Sequence, residues 1–195
     1  MGKWVQENVT NLESISKAAK QVQEHVGESG LTLLVNNAAL RLNGDLETET
    51  AEQMAATYAT NTIGPHQVSQ AFLPLLKTAA ERSPLQGLSC SKAAVVNISS
   101  TGGSIGLMFL WEKMQRVGYR CSKAALNMLT KCQSRVYQDY GILCLCIHPG
   151  WVKTGTAEAD LTEEENARGI VHVLATLSEK DNGTFVDWEG RPLPW

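Results

Sequence analysis

The stretch "ILCLCIHPG", residues 142–150, is an apolar run that a proline and a glycine bring to an end. It is too short for a typical helix and turn-forming residues bound it, so it predicts a strand buried on both faces. The runs "LTLLV" (31–35) and "AAVVNI" (93–98) have the same character, and "GTFVDW" (183–188) predicts a short final strand. The sequence thus predicts four strands distributed along its length.

Helical patterns fill the sequence between these strands. The T-x-x-E pattern at Thr10 and Glu13 is typical of a capping box, and the apolar residues after it recur at spacings of three and four. Farther along, Pro65 favours a helix start over a helix middle, which predicts two helices meeting near "NTIGP". The predicted helical regions are residues 10–27, 50–80, 117–137 and 163–177, the last with Thr162 as its N-cap.

Apolar strands that alternate with helices require crossover connections, and these produce a mostly parallel sheet covered on both faces. We therefore predict a doubly wound α/β fold, as a single domain over residues 1–195, a length that buries about 70% of the unfolded surface. In such sheets, ligands bind at the carboxyl ends of the strands. Three polar motifs fall there, "NNA", "SST" and "HPGWVKT", after the first, second and third strands, so a site is expected at this edge.

Composition narrows the classes of function. The chain is 43% hydrophobic and 19% charged with a formal net charge of -3, which argues against a nucleic-acid partner. No apolar stretch approaches the ~20 residues of a membrane helix, and "MGKWVQENVT" lacks the apolar core of a signal peptide, so we expect a soluble cytoplasmic protein. The five cysteines form no C-x-x-C pair and the four histidines have no ligand-like spacing, so no metal site is predicted.

Five motifs occur in a familiar order: "NNAA" (36–39), Asn61, "NISS" (97–100), "YRCSK" (119–123) and "PGWVKT" (149–154). In this order the chain resembles the short-chain dehydrogenase/reductase family. The loop "HPGWVKT" and the tail "EKDNGTFVDWEG" are most similar to its sniffer-type and C-factor-like carbonyl reductases. The resemblance implies a Rossmann-like fold and NAD(P)-dependent reduction of a small carbonyl compound to an alcohol.

The resemblance also implies a proton relay. A hydride that reaches a ketone carbon creates an alkoxide, and Tyr119 would supply its proton. A free phenol has a pKa of about 10, so Lys123, one helical turn along, would lower that pKa with its charge. Ser100 would orient the substrate oxygen, with its neighbour Ser99 as the alternative. Asn61 would hold a water in the relay, or else serve only to interrupt a helix.

The family pattern places a dinucleotide, NADP or NAD, against the same edge, with a preference that the sequence does not reveal. The strand ends and loops could also be ordinary polar turns without a ligand. The residues expected to contact the cofactor are Asn36, Asn37, Ala38, Tyr119, Lys123, Pro149, Gly150, Val152 and Thr154.

The sequence departs from the family at its start, where the glycine-rich turn T-G-x-x-x-G-x-G is not found. We therefore expect an N-terminally truncated fold without the family's first two strands, which leaves the edge of "LTLLV" unpaired. Two functions remain open: a carbonyl reductase, or a catalytically impaired isoform that acts through subunit association, possible as a homo-oligomer. The insert of residues 108–117 could wall a substrate pocket, contact a partner subunit or simply cover core.

Overall fold

The computed structural model describes residues 8–151 and 162–195. Within these ranges the chain forms one sheet of four parallel strands, in which each strand pairs with the next along the chain. The strands are β1 (Leu33–Asn36), β2 (Ala94–Ile98), β3 (Leu143–His148) and β4 (Phe185–Asp187). The predicted parallel sheet is confirmed, and all four predicted strands form.

Helices connect the strands and cover the sheet. They are α1 (Leu12–Val26), α2 (Ala51–Tyr58), α3 (Gly64–Arg82), α4 (Val117–Tyr137) and α5 (Glu163–Thr176). The bounds of α4 coincide with the predicted helix, and α5 begins behind Thr162, whose side chain accepts a hydrogen bond from the Glu165 amide. None of the described helices has both the length and the apolar character needed to cross a bilayer.

The core lies on both faces of the sheet because the side chains of β2 and β3 alternate between them. On one face, Val96 and Leu145 pack with Val173 of α5. On the other, Val95 packs with Leu76 of α3 and with the last turn of α4. Because β2 and most of β3 are buried on both faces, their sequences read as continuous apolar runs. The doubly wound arrangement is confirmed.

The cap of α1 differs from the prediction. The N-cap is Asn11, whose side-chain oxygen accepts from the Ser14 amide at 2.9 Å, while Thr10 is bonded to the side chain of Asn8. Asparagine is at least as good an N-cap as threonine, and the loop before the helix holds Thr10 in a turn of its own. The capping box at Thr10 and Glu13 is therefore wrong, although the helix itself forms.

The second helical region contains the predicted junction near "NTIGP". Residues 59–63 form a turn of π-helix between α2 and α3, and Pro65 lies in the first turn of α3. This wider turn is relevant to the site because it contains Asn61, which is fully buried against α4. Turns of π-helix are rare and occur frequently at functional sites.

Strand β1 lies at the edge of the sheet. Among the residues that the structure describes, it pairs on one side only, with β2, and its Val35 is 40% exposed. The backbone groups of its outer side thus have no strand partner within 8–151 and 162–195, which is the position of an edge strand. This agrees with the edge that the sequence was expected to leave unpaired.

Candidate active site

The carboxyl ends of β1, β2 and β3 open into one cavity of about 570 Å³. Its described lining combines polar groups from the strand ends with aromatic and apolar side chains from the insert before α4. These residues are Asn37, Ala39, Arg41, Ser99, Ser100, Thr101, Gly102, Phe109, Met114, Arg116, Tyr119, Arg120, His148, Pro149, Gly150, Trp151 and Asn166. The cavity thus lies where the sequence analysis expected a site.

Two hydroxyl groups meet in this cavity. Tyr119 lies in the first turn of α4, and Ser100 caps the short 3₁₀ turn Thr101–Gly103 after β2. The Ser100 side chain accepts from the Gly102 amide at 3.0 Å, and its hydroxyl lies close enough to Tyr119 to lower the pKa of the phenol. Ser100 can therefore accept from the backbone while its own proton remains available for another acceptor.

Ser99, the alternative to Ser100, is occupied elsewhere. It is 2% exposed, and its hydroxyl donates to the side-chain oxygen of Asn127 at 2.5 Å. The amide of Asn127 in turn donates to the Gly103 carbonyl, so this pair fastens the turn that carries Ser100 onto α4. Sequence reasoning missed Asn127, which has no motif of its own.

Lys123 follows Tyr119 by one turn of α4 and is 1% exposed. Its Nζ donates to the Ile98 carbonyl at 2.6 Å and lies 5.9 Å from the centroid of the Tyr119 ring. Burial, which penalises the charged form, lowers the pKa of Lys123 to about 8. The ammonium is therefore close to the phenol but hydrogen-bonded to the end of β2.

Burial raises the pKa of Tyr119, and three groups oppose that effect: the hydrogen bond with Ser100 and the positive charges of Arg41 and Arg116. The expected lowering by Lys123 stays a prediction, and the structure adds two arginines whose charges act on the phenol. Neither arginine belongs to a motif in the sequence. Their position depends on how the loop after β1 and the insert before α4 fold over the site.

Asn61 is completely buried and fixes the position of α4. Its side-chain oxygen accepts from the Leu40 amide at 2.7 Å, and its nitrogen donates to the Leu40 carbonyl at 2.8 Å and to the Ser122 hydroxyl at 2.9 Å. The Ser122 hydroxyl donates to the Tyr119 carbonyl at 2.8 Å. Through these bonds Asn61 ties the loop after β1 to the first turn of the helix that carries Tyr119.

Besides Tyr119 and Lys123, the residues expected to contact a cofactor divide into four groups. Asn37, Pro149 and Gly150 line the cavity, and Gly150 has a φ of 80°, a backbone conformation that favours glycine. Asn36 is instead 8% exposed, and its amide donates to the side chain of Asn97. Ala38 is exposed beside Asn37. The two remaining positions, Val152 and Thr154, lie outside the described residues.

Behind the strand ends lies a buried polar network centred on Asn97. It accepts from Asn36 at 2.8 Å and donates to Thr130 at 2.7 Å and to Gln133 at 2.9 Å, so it joins β1, β2 and α4. Buried polar groups are costly unless they are bonded, and once bonded they favour one arrangement. The network holds the strand ends and α4 in fixed relation beneath the cavity.

The insert borders the cavity, and its role as the wall of a substrate pocket stays a prediction. Phe109 and Met114 contribute to its lining. Arg120 holds the insert in place, because its guanidinium donates to the carbonyls of Phe109 at 2.7 Å, Met114 at 2.7 Å and Gln115 at 2.5 Å. Because one guanidinium binds three carbonyls, the insert keeps a fixed conformation along the cavity although it contains no helix or strand.

Comparison with known proteins identifies the family. The family model described as short chain dehydrogenase matches residues 3–165, and the chain belongs to this family. Among solved structures it is similar to the NADPH-bound carbonyl reductase from chicken fatty liver, with 51% sequence identity and a TM-score of 0.93 over 98% of this chain and 76% of that one.

Two further proteins are similar to this chain. The carbonyl reductase Sniffer of D. melanogaster is 33% identical with a TM-score of 0.92 over 97% of this chain and 77% of that chain. The C-signal protein of Myxococcus xanthus is 31% identical over 169 residues, which are 84% of this chain and 92% of that protein. The resemblance stated from the motifs is confirmed, and the chain spans about three quarters of the length of the solved carbonyl reductases.

Proposed function

We propose that this protein reduces a small carbonyl compound to an alcohol with NADPH or NADH. The observation that carries the proposal is that the Ser100 and Tyr119 side chains meet in one cavity at the carboxyl edge of the sheet, with Lys123 buried one helical turn behind. A neutral phenol beside a hydroxyl donor suits a carbonyl oxygen that becomes an alkoxide. The likeness to solved carbonyl reductases supports the same reaction class.

In the proposed mechanism, Tyr119 hydrogen-bonds to the substrate oxygen and donates its proton as negative charge develops there. Ser100 donates to the same oxygen, because a carbonyl oxygen can only accept and the bond from the Gly102 amide leaves the Ser100 proton free. Burial keeps the phenol protonated in the resting site, since it raises the pKa of Tyr119. Proton loss is then favoured by the nearby positive charges, those of the arginines and of Lys123.

Asn61 supports the relay in this proposal. The two hydrogens of its amide are committed to Leu40 and Ser122, and its oxygen has one lone pair beyond the bond from the Leu40 amide. It therefore sets the position of the first turn of α4, and its remaining acceptor capacity is where a relay water would be held. A change at Asn61 should misplace Tyr119 as well as interrupt the relay.

The cavity fits the nicotinamide end of a dinucleotide. Its wall offers the side chain of Asn37, the backbone at Pro149 and Gly150, and a buried His148 Nδ1 without a hydrogen-bond partner among the described residues. When bound, the dinucleotide supplies the hydride. Asn36 would act indirectly by holding the end of β1, Ala38 would lie beside it, and Val152 and Thr154 are proposed to contact the cofactor from outside the described residues.

The family's glycine-rich turn binds the pyrophosphate, and the motif is not found in this sequence. The described residues offer a site for the nicotinamide end of the cofactor. NADPH is the first candidate, since the similar chicken carbonyl reductase is NADPH-bound.

Titration of the purified chain with NADPH and with NADH, followed by nicotinamide fluorescence, tests this proposal. Saturable binding of at least one cofactor, followed by its oxidation when a quinone or an aromatic aldehyde is added, is the expected result. A folded sample that binds neither cofactor would remove the reductase function for this chain. Tyr140→Phe, a change at an exposed tyrosine, is the control for nonspecific effects on the fluorescence.

A second candidate, association with further copies of the chain, is favoured by the outer face of α4. Met128, Cys132 and Val136 lie there at intervals of four residues and are exposed, and Tyr140 continues the row beyond the helix. A contiguous apolar row on an exposed helix face is typical of an interface. Sedimentation equilibrium should show a dimer or larger species that Met128→Glu and Val136→Glu dissociate, and a monodisperse monomer would exclude this candidate.

A further inference from the structure

The charge of the cavity wall is opposite to that of the protein. The chain has 17 basic and 20 acidic residues, yet the described lining contains three arginines and no aspartate or glutamate. His148, also in the lining, stays neutral at physiological pH because burial lowers its pKa to about 4. The positive charge of this cavity therefore comes from Arg41, Arg116 and Arg120.

The three arginines do not have the same role. Arg120 is the clamp that holds the insert, and its guanidinium is committed to backbone carbonyls. Arg41 is exposed and has neither an ion pair nor a side-chain hydrogen bond among the residues that the structure describes. Arg116 donates from Nε to Asn43 at 3.2 Å, and the other nitrogens of its guanidinium have no such partner within 8–151 and 162–195.

Arg41 and Arg116 also repel one another. Burial has the largest effect on the pKa of Arg116 and lowers it, and the positive charge of Arg41 lowers this pKa further. Two like charges that have no ion pair among the described residues are stabilised when an anion binds between them. Guanidinium groups bind carboxylates in a forked geometry. Arg116 moreover has a φ of 45°, and residues in such uncommon backbone conformations cluster at functional sites.

The lining of the same cavity also includes large apolar side chains. Phe109 and Met114 come from the insert that ends at Arg116, and Trp151 follows the end of β3. An aromatic or aliphatic body would pack on these side chains while an anionic group reaches the arginines. The charges of Arg41 and Arg116 act on Tyr119, so an anion bound by them would share the cavity with the reacting carbonyl.

We propose that this site selects carbonyl compounds that bear a carboxylate on an apolar body, with Arg41 and Arg116 as the residues that bind the anionic group. This inference rests on the proposed reductase function, and it deepens that function by naming the substrate class. The other source of negative charge is the dinucleotide itself. The insert wall and the position beside Tyr119 favour the substrate, and the experiment separates the two sources.

A matched pair of probes tests the inference. The aldehydes 4-carboxybenzaldehyde and 4-formylbenzamide have the same ring and the same reacting group, and they differ in charge. For each, the dissociation constant is measured by isothermal titration calorimetry, and kcat/KM is measured with NADPH. The proteins compared are the wild type, Arg41→Met, Arg116→Met, the charge-retaining Arg41→Lys, and Arg135→Met as a control that removes a charge from an exposed position of α4.

We expect the wild type to bind the carboxylate at least tenfold more tightly than the amide. Arg41→Met and Arg116→Met should each reduce this ratio at least fivefold, Arg41→Lys should keep most of it, and Arg135→Met should leave it unchanged. Equal affinity for the two probes would overturn the inference. A ratio that survives both Met variants would do so as well, because the arginines would then not be the anion site.

Measurements of NADPH binding and of aldehyde reduction separate the remaining outcomes. If the Met variants weaken NADPH binding tenfold while the probe ratio is unchanged, the arginines serve the cofactor phosphates and the inference is wrong. If the carboxylate binds selectively through the arginines but is not reduced, the reductase function fails while the anion site stands. Binding is measured without turnover, so each failure has its own signature.

Discussion

Lys123 is expected to make the stability of the protein depend on pH in a way that its removal abolishes. The side chain is 1% exposed, and burial lowers the pKa of its ammonium from 10.5 to about 8. That difference corresponds to about 3 kcal/mol by which burial disfavours the charged form. The penalty is fully present below about pH 8, where folded and unfolded chains are both protonated, and it disappears as the pH rises from about 8 toward 10.5.

The magnitude can be read from the difference between two proteins. Between pH 7.5 and pH 9.5 the wild type should gain about 2 kcal/mol in free energy of unfolding relative to Lys123→Met, because the unfolded lysine still binds a proton in that interval and the folded one has released it. Other groups titrate in both proteins and cancel in the difference. Urea unfolding followed by tryptophan fluorescence at the two pH values measures it.

An exposed lysine of α1 supplies the control, since Lys17→Met makes the same change of charge without burial. Its unfolding free energy should follow that of the wild type across the pH range to within about 0.5 kcal/mol. If Lys123→Met behaves as this control does, the ammonium is solvated in the folded protein. The placement of Lys123 beneath Tyr119 would then be wrong.

Three further predictions follow from the contacts around the site. Asn61→Leu removes the three hydrogen bonds of a buried side chain and should lower the free energy of unfolding, measured in urea, by about 3–5 kcal/mol. The control Thr60→Ala, in the same turn, should change it by less than about 1 kcal/mol. A loss of under about 1 kcal/mol for Asn61→Leu would contradict the anchoring role of Asn61. Ser100→Ala should reduce kcat about 100-fold in steady-state kinetics. Ser99→Ala should instead lower the free energy of unfolding in urea by about 1–2 kcal/mol. If Ser99→Ala lost the activity and Ser100→Ala lost the stability, the two roles would be exchanged. Val35→Lys places a charge on the edge strand and should slow aggregation at 37 °C, measured by light scattering. An unchanged rate of aggregation would show that the protein does not aggregate through this edge.

The sequence predicts the sheet well because strands such as β2 and β3 are buried on both faces and therefore appear as continuous apolar runs. Few structures other than a buried strand fit such short runs in a chain of this length. The bounds of α4 were predictable because apolar spacing and a terminal glycine define them. The cap of α1 was not, since Thr10 and Asn11 are both good caps and the choice depends on the preceding loop.

The candidate site was predictable only as far as its motifs reach. Tyr119 and Ser100 were found because they follow a helix start and a strand end in a familiar order, and the structure brings both to the cavity. Arg41 and Arg116 were missed because their neighbourhood is created by two irregular segments, for which no periodicity exists. The contact of Asn36 with a cofactor stays a prediction, and its bond to the buried network depends on the packing of α4 on the sheet, which no motif records.

The proposed proton donor is the central claim, and the single-turnover rate of NADPH oxidation with excess aldehyde tests it most directly. Wild type and Tyr119→Phe are compared at matched cofactor saturation, since the hydroxyl is the only group removed. We predict that Tyr119→Phe binds NADPH within about threefold of the wild type and loses at least ~1000-fold in the rate of the chemical step. A variant that binds the cofactor and still oxidises it at the wild-type rate would contradict the role of Tyr119.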